Sequence, residues 1–153
     1  GEVDTELDRA RLEPLSRWIT PAAETRRYDT RFYLMPLPER QSGRHDEHET
    51  TMSLWKTPVE LLELWERGEV FLAPPTSRTL ELLSEARDVD DALAIARAHP
   101  LDSLCPFFTQ DGDQVVLALP GDPLYPQAAP APTDPRAPTR FVMEAGRFVP
   151  RRV

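Results

Sequence analysis

Proline placement divides this chain more strongly than any other feature does. Seven of its 17 prolines fall between residues 120 and 138. Because proline has no backbone N–H and restricts the residue before it, this segment is unsuited to a regular helix or a central strand. The sequence therefore predicts a main region, residues 1–119, an extended arm, residues 120–138, and a terminal hairpin, residues 139–153, that packs back on the main region.

Helical periodicity is clearest after Thr57, a residue type that is favoured at helix N-caps. Leu61, Leu64 and Trp65 then recur at three- and four-residue spacing, which predicts one apolar helix face. Gly68 is typical of the residue that follows a helix. Two further helices are expected, from residue 76 or 77 to about 87 and from residue 88 to 98.

Aromatic and β-favouring residues predict the strands. Asp111-Gly112 is a strong signal for a hairpin turn, and Ala145-Gly146 predicts a second hairpin. The elements together predict an α/β or α+β fold, a small mixed sheet with about three helices that forms part of a sandwich. The expected strands are residues 28–34, 52–55, 104–109, 114–119, 141–143 and 147–149, and a short helix is expected to end near Pro14.

The composition excludes several classes of protein. The formal net charge of −8 argues against a protein that binds nucleic-acid backbones, because such a protein needs a basic surface. No apolar run is long enough to cross a membrane, and no secretory signal opens the chain. Cys105 is the only cysteine, so it cannot form an internal disulfide. We therefore expect a cytoplasmic protein that binds neither nucleic acid nor membranes.

Five short segments follow one another along the chain: residues 18–38 (WITPAAETRRYDTRFYLMPLP), 55–58 (WKTP), 68–69 (GE), 73–76 (APPT) and 79–80 (TL). In their order and spacing they resemble the later half of Nudix hydrolases. The most similar branch includes the peroxisomal coenzyme A diphosphatases and bacterial relatives. This resemblance implies that the intact protein hydrolyses a nucleoside diphosphate derivative, with Mg²⁺ or Mn²⁺ as its cofactor.

The Nudix box, a glutamate-rich helix that binds the metal in this family, is absent from the sequence. The nearest pattern, Glu60 to Glu63, lacks the arginine and the second glutamate of the box and predicts an ordinary amphipathic helix. In the family the box precedes the segment that begins at Trp18. We therefore expect this chain, which begins with Gly1, to be inactive and without metal by itself. The box would then lie on an upstream segment or on a partner chain.

Arginines in the first predicted strand are the candidate substrate contacts. Side chains alternate along a strand, so Arg27, Asp29 and Arg31 share one face and Phe32 lies on the other. Arginine binds phosphate bidentately, and an aromatic ring can stack on a base. Arg27, Arg31 and Phe32 are therefore the candidate contacts to a nucleotide-type small molecule. The alternative is a half-buried strand whose charged residues only pair with one another.

Acidic residues before Trp55 are the candidate catalytic groups. Nudix enzymes often carry an additional glutamate just before a strand with a tryptophan, where it binds metal or acts as a base. The resemblance therefore implies Glu49 as metal ligand and catalytic residue, with Glu47 as a second catalytic candidate. The alternative is a solvated acidic loop, because no second cluster of histidine or cysteine completes a metal site.

Two other functions are open on the sequence alone. The chain is either a non-catalytic nucleotide- or protein-binding module on a Nudix-derived scaffold, or a stable fragment without a function of its own. The absent box favours both alternatives for the chain as given, whereas the resemblance favours an enzyme for the intact protein.

Overall fold

The computed structural model describes residues 12–38, 54–126 and 137–152. Within these ranges the predicted mixture of helices and strands is confirmed, but the strands form two sheets instead of one. None of the helices in these ranges is long and apolar enough to cross a membrane. The elements are β1 (Glu13–Ile19), β2 (Asp29–Leu34), α1 (Pro58–Glu66), α2 (Pro74–Leu83), α3 (Val89–Ala98), β3 (Ser103–Leu104), β4 (Phe107–Asp111), β5 (Gln114–Ala118), β6 (Arg140–Glu144) and β7 (Arg147–Arg151).

The first sheet has the strand order β2-β1-β3 and is mixed, because β1 is antiparallel to β2 and parallel to β3. The helix expected to end near Pro14 is wrong for the described residues: Glu13–Ile19 is a strand in which Leu15 and Trp18 are buried. A bulge between Pro14 and Ser16 interrupts the alternation of buried and exposed positions. This interruption hides the strand in the sequence.

The second sheet has the order β4-β5-β6-β7 and is antiparallel throughout. Both predicted hairpins are confirmed, with Gly112 at φ +58° and Gly146 at φ +81° in their turns. Glycine adopts such positive φ values without steric cost. The expected strand 104–109 is interrupted, because Pro106 between β3 and β4 has no N–H to donate to a neighbouring strand.

Local residues set both ends of α1 and the start of α3, and of these Thr57 and Gly68 were predicted. Thr57 accepts a hydrogen bond from the Glu60 N–H at 3.3 Å, and the Glu60 carboxylate accepts one from the Thr57 N–H at 2.8 Å. This reciprocal capping box fixes the start of α1, and Gly68 follows the helix with φ +76°. Asp88 caps α3 by accepting from the Asp91 N–H at 2.9 Å. Both helices are therefore encoded locally.

Two expectations for the helical region are wrong. α2 begins earlier than predicted, at Pro74 with Ala73 as N-cap, because proline suits the first helical turn, where its missing N–H is not needed. It also ends at Leu83, before residue 87. Residues 54 and 55, expected in a strand, lie in an irregular segment that leads into the cap of α1. The remainder of that expected strand lies outside the described residues.

One apolar cluster joins the two sheets. Trp18 comes from the first sheet, and Leu117 and Phe141 come from the second. Phe141 is completely buried. Burial of such aromatic and aliphatic side chains is the main favourable term in folding. The cluster consists of Trp18, Leu117, Leu119 and Phe141, with Phe32, Leu104 and Phe148 packed against it.

A buried ion pair joins the beginning of the arm to β6. Arg140 donates through Nε and Nη2 to the two carboxylate oxygens of Asp122, at 2.8 and 2.9 Å, and through Nη1 to Asp111 at 2.7 Å. Both Asp122 and Arg140 are buried. The Tyr125 hydroxyl donates to the Cys105 carbonyl at 3.0 Å. The first residues of the arm are therefore held against the sheets.

The described part of the arm, residues 120–126 and 137–138, contains no helix or strand. Residues 127–136 lie outside the described ranges. The division into a main region, an arm and a terminal hairpin at residues 119 and 138 therefore stays a prediction.

Candidate functional site

β1 and β2 bring charged side chains from two parts of the chain onto one face. The strand register pairs Arg17 with Arg31 and Ile19 with Asp29. Because side chains alternate along each strand, Arg17, Asp29 and Arg31 project from the same side of the sheet. This side is open to solvent: the side chains of Arg17 and Asp29 are 40% and 43% exposed, and Arg31 is exposed as well.

A bidentate ion pair connects the two strands on this face. Arg17 donates from Nε to Oδ1 of Asp29 at 2.8 Å and from Nη2 to Oδ2 at 2.7 Å. The hydrogen bond from Arg17 holds the pKa of Asp29 below its usual value, and the positive charge of Arg31 acts in the same direction. The same hydrogen bond raises the pKa of Arg17. The carboxylate is therefore ionised, and both of its oxygens accept hydrogen bonds from Arg17.

Arg27 and Arg31, the predicted substrate contacts, differ in how they are held. Arg27 lies just before β2 and donates from Nε to the Thr20 carbonyl at 3.1 Å, and its terminal nitrogens have no acceptor among the described residues. Tyr28 and Thr20 also exchange main-chain and hydroxyl hydrogen bonds beside it. Arg31 makes no hydrogen bond or ion pair with any residue in the described ranges. With respect to the part of the chain that the structure describes, both guanidinium groups therefore have donors that can bind an anion from solvent.

Phe32 is separated from these arginines by the sheet itself. Its register partner is Ser16, and its half-buried ring packs against the apolar cluster that contains Trp18 and Phe141. The three predicted contacts are therefore not on one surface. Arg31 lies on the solvent side of the sheet and Arg27 in the exposed segment before β2, whereas Phe32 contributes to the core.

Glu47 and Glu49, the candidate catalytic and metal-binding residues, lie outside the described residues. Within residues 12–38, 54–126 and 137–152, no three or more histidine, cysteine, aspartate or glutamate side chains are grouped so that they could hold a metal ion. Mg²⁺ and Mn²⁺ prefer several oxygen ligands. The described residues therefore do not fit the divalent cation that the sequence resemblance implies.

Arg17 is the residue of this face that sequence reasoning missed. Its contribution depends on β1, which was not predicted as a strand, since only a short helix ending near Pro14 was expected in this region. Arg17 precedes Trp18, whose burial fixes the neighbouring side chain on the opposite, solvent side. Recognition of Trp18 as an inward strand position would have identified Arg17.

A groove of about 240 Å³ lies between α1, α2 and β7. Its two arginines already have protein partners. Arg147 donates to the carbonyls of Trp65 and Glu66, and Arg151 pairs with Glu144 at 2.5 Å. The groove therefore offers a new ligand fewer free charges than the β1–β2 face does.

Comparison with known proteins gives one family match. The family model described as NUDT19 Nudix domain matches residues 6–83, about half of the chain. This range includes β1, β2, α1 and α2. It therefore includes the solvent-exposed face of β1 and β2 that carries Arg17, Asp29 and Arg31, called the arginine face below. No solved structure shows a significant match.

Three vertebrate proteins, each described as acyl-coenzyme A diphosphatase NUDT19, are similar to this chain. The Gallus gallus protein is 32% identical over 124 residues, 76% of this chain and 33% of its own length. The Xenopus laevis protein is 29% identical over 123 residues, 76% of this chain and 32% of its own length. The Homo sapiens protein is 31% identical over 119 residues, 74% of this chain and 32% of its own length. The chain thus spans about a third of the length of these relatives.

Proposed function

Because the chain belongs to the NUDT19 Nudix domain family, we propose that it is part of a hydrolase that cleaves a nucleoside diphosphate derivative. Its relatives are described as acyl-coenzyme A diphosphatases, so an acyl-coenzyme A is the first substrate to test. The observation that carries this proposal is the position of the family match, which covers the solvent-facing arginines of β1 and β2.

The chemistry of the arginine face agrees with such a substrate. A nucleoside diphosphate derivative carries several negative charges, whereas this protein has a net charge of −8 and repels anions at long range. A local group of guanidinium side chains is therefore needed to bind phosphate. Arg27 and Arg31 supply guanidinium donors that have no acceptor among the described residues. We assign them the role of binding substrate phosphates.

Hydrolysis of the diphosphate in this proposal depends on residues beyond those of the β1–β2 face. A divalent cation, Mg²⁺ or Mn²⁺, would neutralise charge on the diphosphate when bound. The described residues lack a suitable group of ligands, and the sequence lacks a Nudix box. We therefore propose that the box is supplied by an upstream segment or a partner chain, and that this chain alone binds substrate without turnover.

The experiment is a comparison of binding and turnover by the purified 153-residue chain. Acyl-coenzyme A, NADH and ADP-ribose are titrated calorimetrically, and hydrolysis is followed with Mg²⁺ or Mn²⁺ present. The full-length Gallus gallus relative serves as the positive control for turnover. We expect binding without hydrolysis. Rapid metal-dependent hydrolysis by the 153-residue chain would contradict the proposal that turnover needs a Nudix box outside this chain.

A non-catalytic binding module is the second candidate, and one observation favours it. Tyr33, Met35 and Leu37 are 47%, 43% and 47% exposed and alternate along β2 and its extension. Such an apolar row is suited to packing against another polypeptide. Failure of all three nucleotides to bind would favour this protein-binding alternative over a substrate-binding role.

A further inference from the structure

Arg17 and Arg31 face each other directly across β1 and β2. Directly opposed side chains of an antiparallel pair have Cβ atoms about 4.5–5.5 Å apart, and like charges at such positions destabilise the sheet. Arginine does not lose its proton in proteins, so deprotonation cannot relieve the repulsion. The pair is therefore favourable only with negative charge beside it.

Asp29 supplies part of that negative charge. It is the carboxylate bonded to this pair among the residues that the structure describes, and it binds the edge of Arg17 formed by Nε and Nη2. The Nη1 group of Arg17 and the whole guanidinium of Arg31 have no acceptor in the described ranges. Two positive charges thus share one carboxylate, and the free donors lie on a solvent-exposed face.

The surroundings add positive charge. Arg27 is exposed and lies in the segment just before β2, four residues from Arg31 along the chain. Its Nε is fixed by the Thr20 carbonyl, so its terminal nitrogens are held near the strand pair. A dianion placed between Arg17 and Arg31 would receive charge-assisted hydrogen bonds from both guanidinium groups.

We propose that Arg17 and Arg31 form a binding site for a phosphate monoester, with Asp29 holding Arg17 by one edge so that Nη1 faces the ligand. This inference rests on the proposed function for its biological ligand, a phosphate group of the nucleotide-type substrate. It adds Arg17 to the candidate contacts and assigns Asp29 as a positioning residue. Inorganic phosphate presents the same chemistry, so the experiment separates the two sources.

The test is calorimetric titration of the full 153-residue chain in metal-free buffer with adenosine 5′-monophosphate, adenosine and inorganic phosphate. We expect the monophosphate to bind and adenosine to bind at least about tenfold more weakly, because the charge-assisted hydrogen bonds are lost. Similar affinity of inorganic phosphate and the monophosphate would support the site and show that the phosphate alone is recognised. Equal binding of adenosine and the monophosphate would overturn the proposal.

Variants separate this site from general electrostatics. Arg31→Gln and Arg17→Gln should each weaken monophosphate binding by about tenfold. Arg87→Gln is the matched control, because Arg87 is also exposed and also forms a bidentate pair, with Asp91. It removes the same charge and should leave the affinity unchanged. Equal losses in the Arg31 and Arg87 variants would assign the effect to net charge and overturn the site.

Asp29→Asn gives a result of opposite sign. Asparagine keeps one oxygen that can accept from Arg17 and so hold it in place, but it removes the negative charge that repels the bound anion. The monophosphate should therefore bind several-fold more tightly. An affinity that is unchanged or lower would overturn the arrangement proposed here. The measurement involves neither metal nor hydrolysis. Failure of adenosine 5′-monophosphate to bind would therefore overturn this site, whereas the hydrolase proposal is decided by acyl-coenzyme A, NADH and ADP-ribose. Failure of turnover leaves the binding site standing.

Discussion

Arg147 of β7 caps the C-terminal end of α1 by donating to the main-chain carbonyls of Trp65 and Glu66, from Nη2 to Glu66 at 3.0 Å. The last carbonyls of a helix have no partner within the helix, and a cation is favourable there. The same guanidinium lies 5.6 Å from the centre of the Trp65 ring. One side chain of the terminal hairpin thus holds both the backbone and the buried tryptophan of α1.

Arg147→Ala should lower the free energy of unfolding by about 2–3 kcal/mol, because hydrogen bonds from a charged donor and a cation–π contact are lost together. Arg147→Lys should recover only part of this loss, since lysine keeps the charge without the planar fork. Urea unfolding measures both. Arg151→Ala is the control: its exposed pair with Glu144 should contribute less than about 1 kcal/mol. Equal losses for Arg147 and Arg151 would show that the cap has no special role.

Trp65 should be required for its volume and not for its N–H group. It is 4% exposed, and its buried Nε1 has no acceptor within the described residues. Trp65→Ala should therefore cost about 3–5 kcal/mol. Trp65→Phe should cost clearly less, because it keeps an aromatic ring and removes a buried unpaired donor. Glu63→Gln on the exposed side of α1 should change stability by less than about 0.5 kcal/mol. Similar losses for alanine and phenylalanine at residue 65 would refute this explanation.

Asp122 should be the most costly carboxylate to remove. Its loss leaves the buried guanidinium of Arg140 with only the exposed Asp111 as carboxylate partner. Asp122→Ala should therefore lower the free energy of unfolding by about 3 kcal/mol or more. Asp111→Asn, which removes the other partner at a side chain that is 56% exposed, should cost less than about 1 kcal/mol. A larger loss of stability for Asp111→Asn than for Asp122→Ala would show that Arg140 depends mainly on Asp111, which would contradict this prediction.

The same pair predicts how stability changes with pH. Burial raises the pKa of Asp122, but hydrogen bonds from Arg140, the Leu124 N–H and Thr139 outweigh it and lower the pKa overall. A lowered folded-state pKa stabilises the protein above the unfolded-state value of about 4 and loses that contribution as the pH falls below it. Denaturation curves from pH 6 to pH 2 should therefore show a steeper loss for the wild type than for Asp122→Asn. An equal loss of stability in the wild type and in Asp122→Asn would show that Asp122 does not cause the pH dependence.

The elements that the sequence predicted are those with local signals. α1 depends on Thr57 and Glu60, which are close in sequence, and the two hairpins depend on Gly112 and Gly146 in their turns. β1 has no such signal. Its bulge breaks the alternation of buried and exposed positions, and its parallel partner β3 lies far from it in the sequence. The division of the strands into two sheets is likewise a property of long-range pairing, which periodicity does not contain.

Only part of the candidate site was predicted, because long-range strand pairing is not visible in the sequence. Arg27 and Arg31 follow from alternation within one strand, whereas Arg17 belongs to a partner strand that was not recognised. Alternation also placed Phe32 on the opposite face from the arginines, but it did not indicate that this face packs on the core. The role of a residue within one strand is thus visible in the sequence, and its cross-strand partner is not.

The terminal hairpin and the first residues of the arm should act as part of the fold. β6 pairs with β5, and Phe141 is completely buried in the cluster that joins the sheets. Ending the chain after Leu119 removes that ring and exposes its apolar neighbours to water. The truncated protein should therefore melt at a lower temperature and aggregate, as measured by calorimetry and light scattering.

Tyr125 allows the contribution of the arm to be measured without truncation. Its hydroxyl donates to the Cys105 carbonyl, and burial raises the pKa of the phenol. Tyr125→Phe removes only this hydrogen bond and should cost about 1 kcal/mol. Tyr33→Phe is the same chemical change at an exposed tyrosine and should cost nothing measurable. If the Tyr125 variant and the truncated chain both keep the wild-type melting temperature, the arm is only a tether and residues 120–126 do not anchor it.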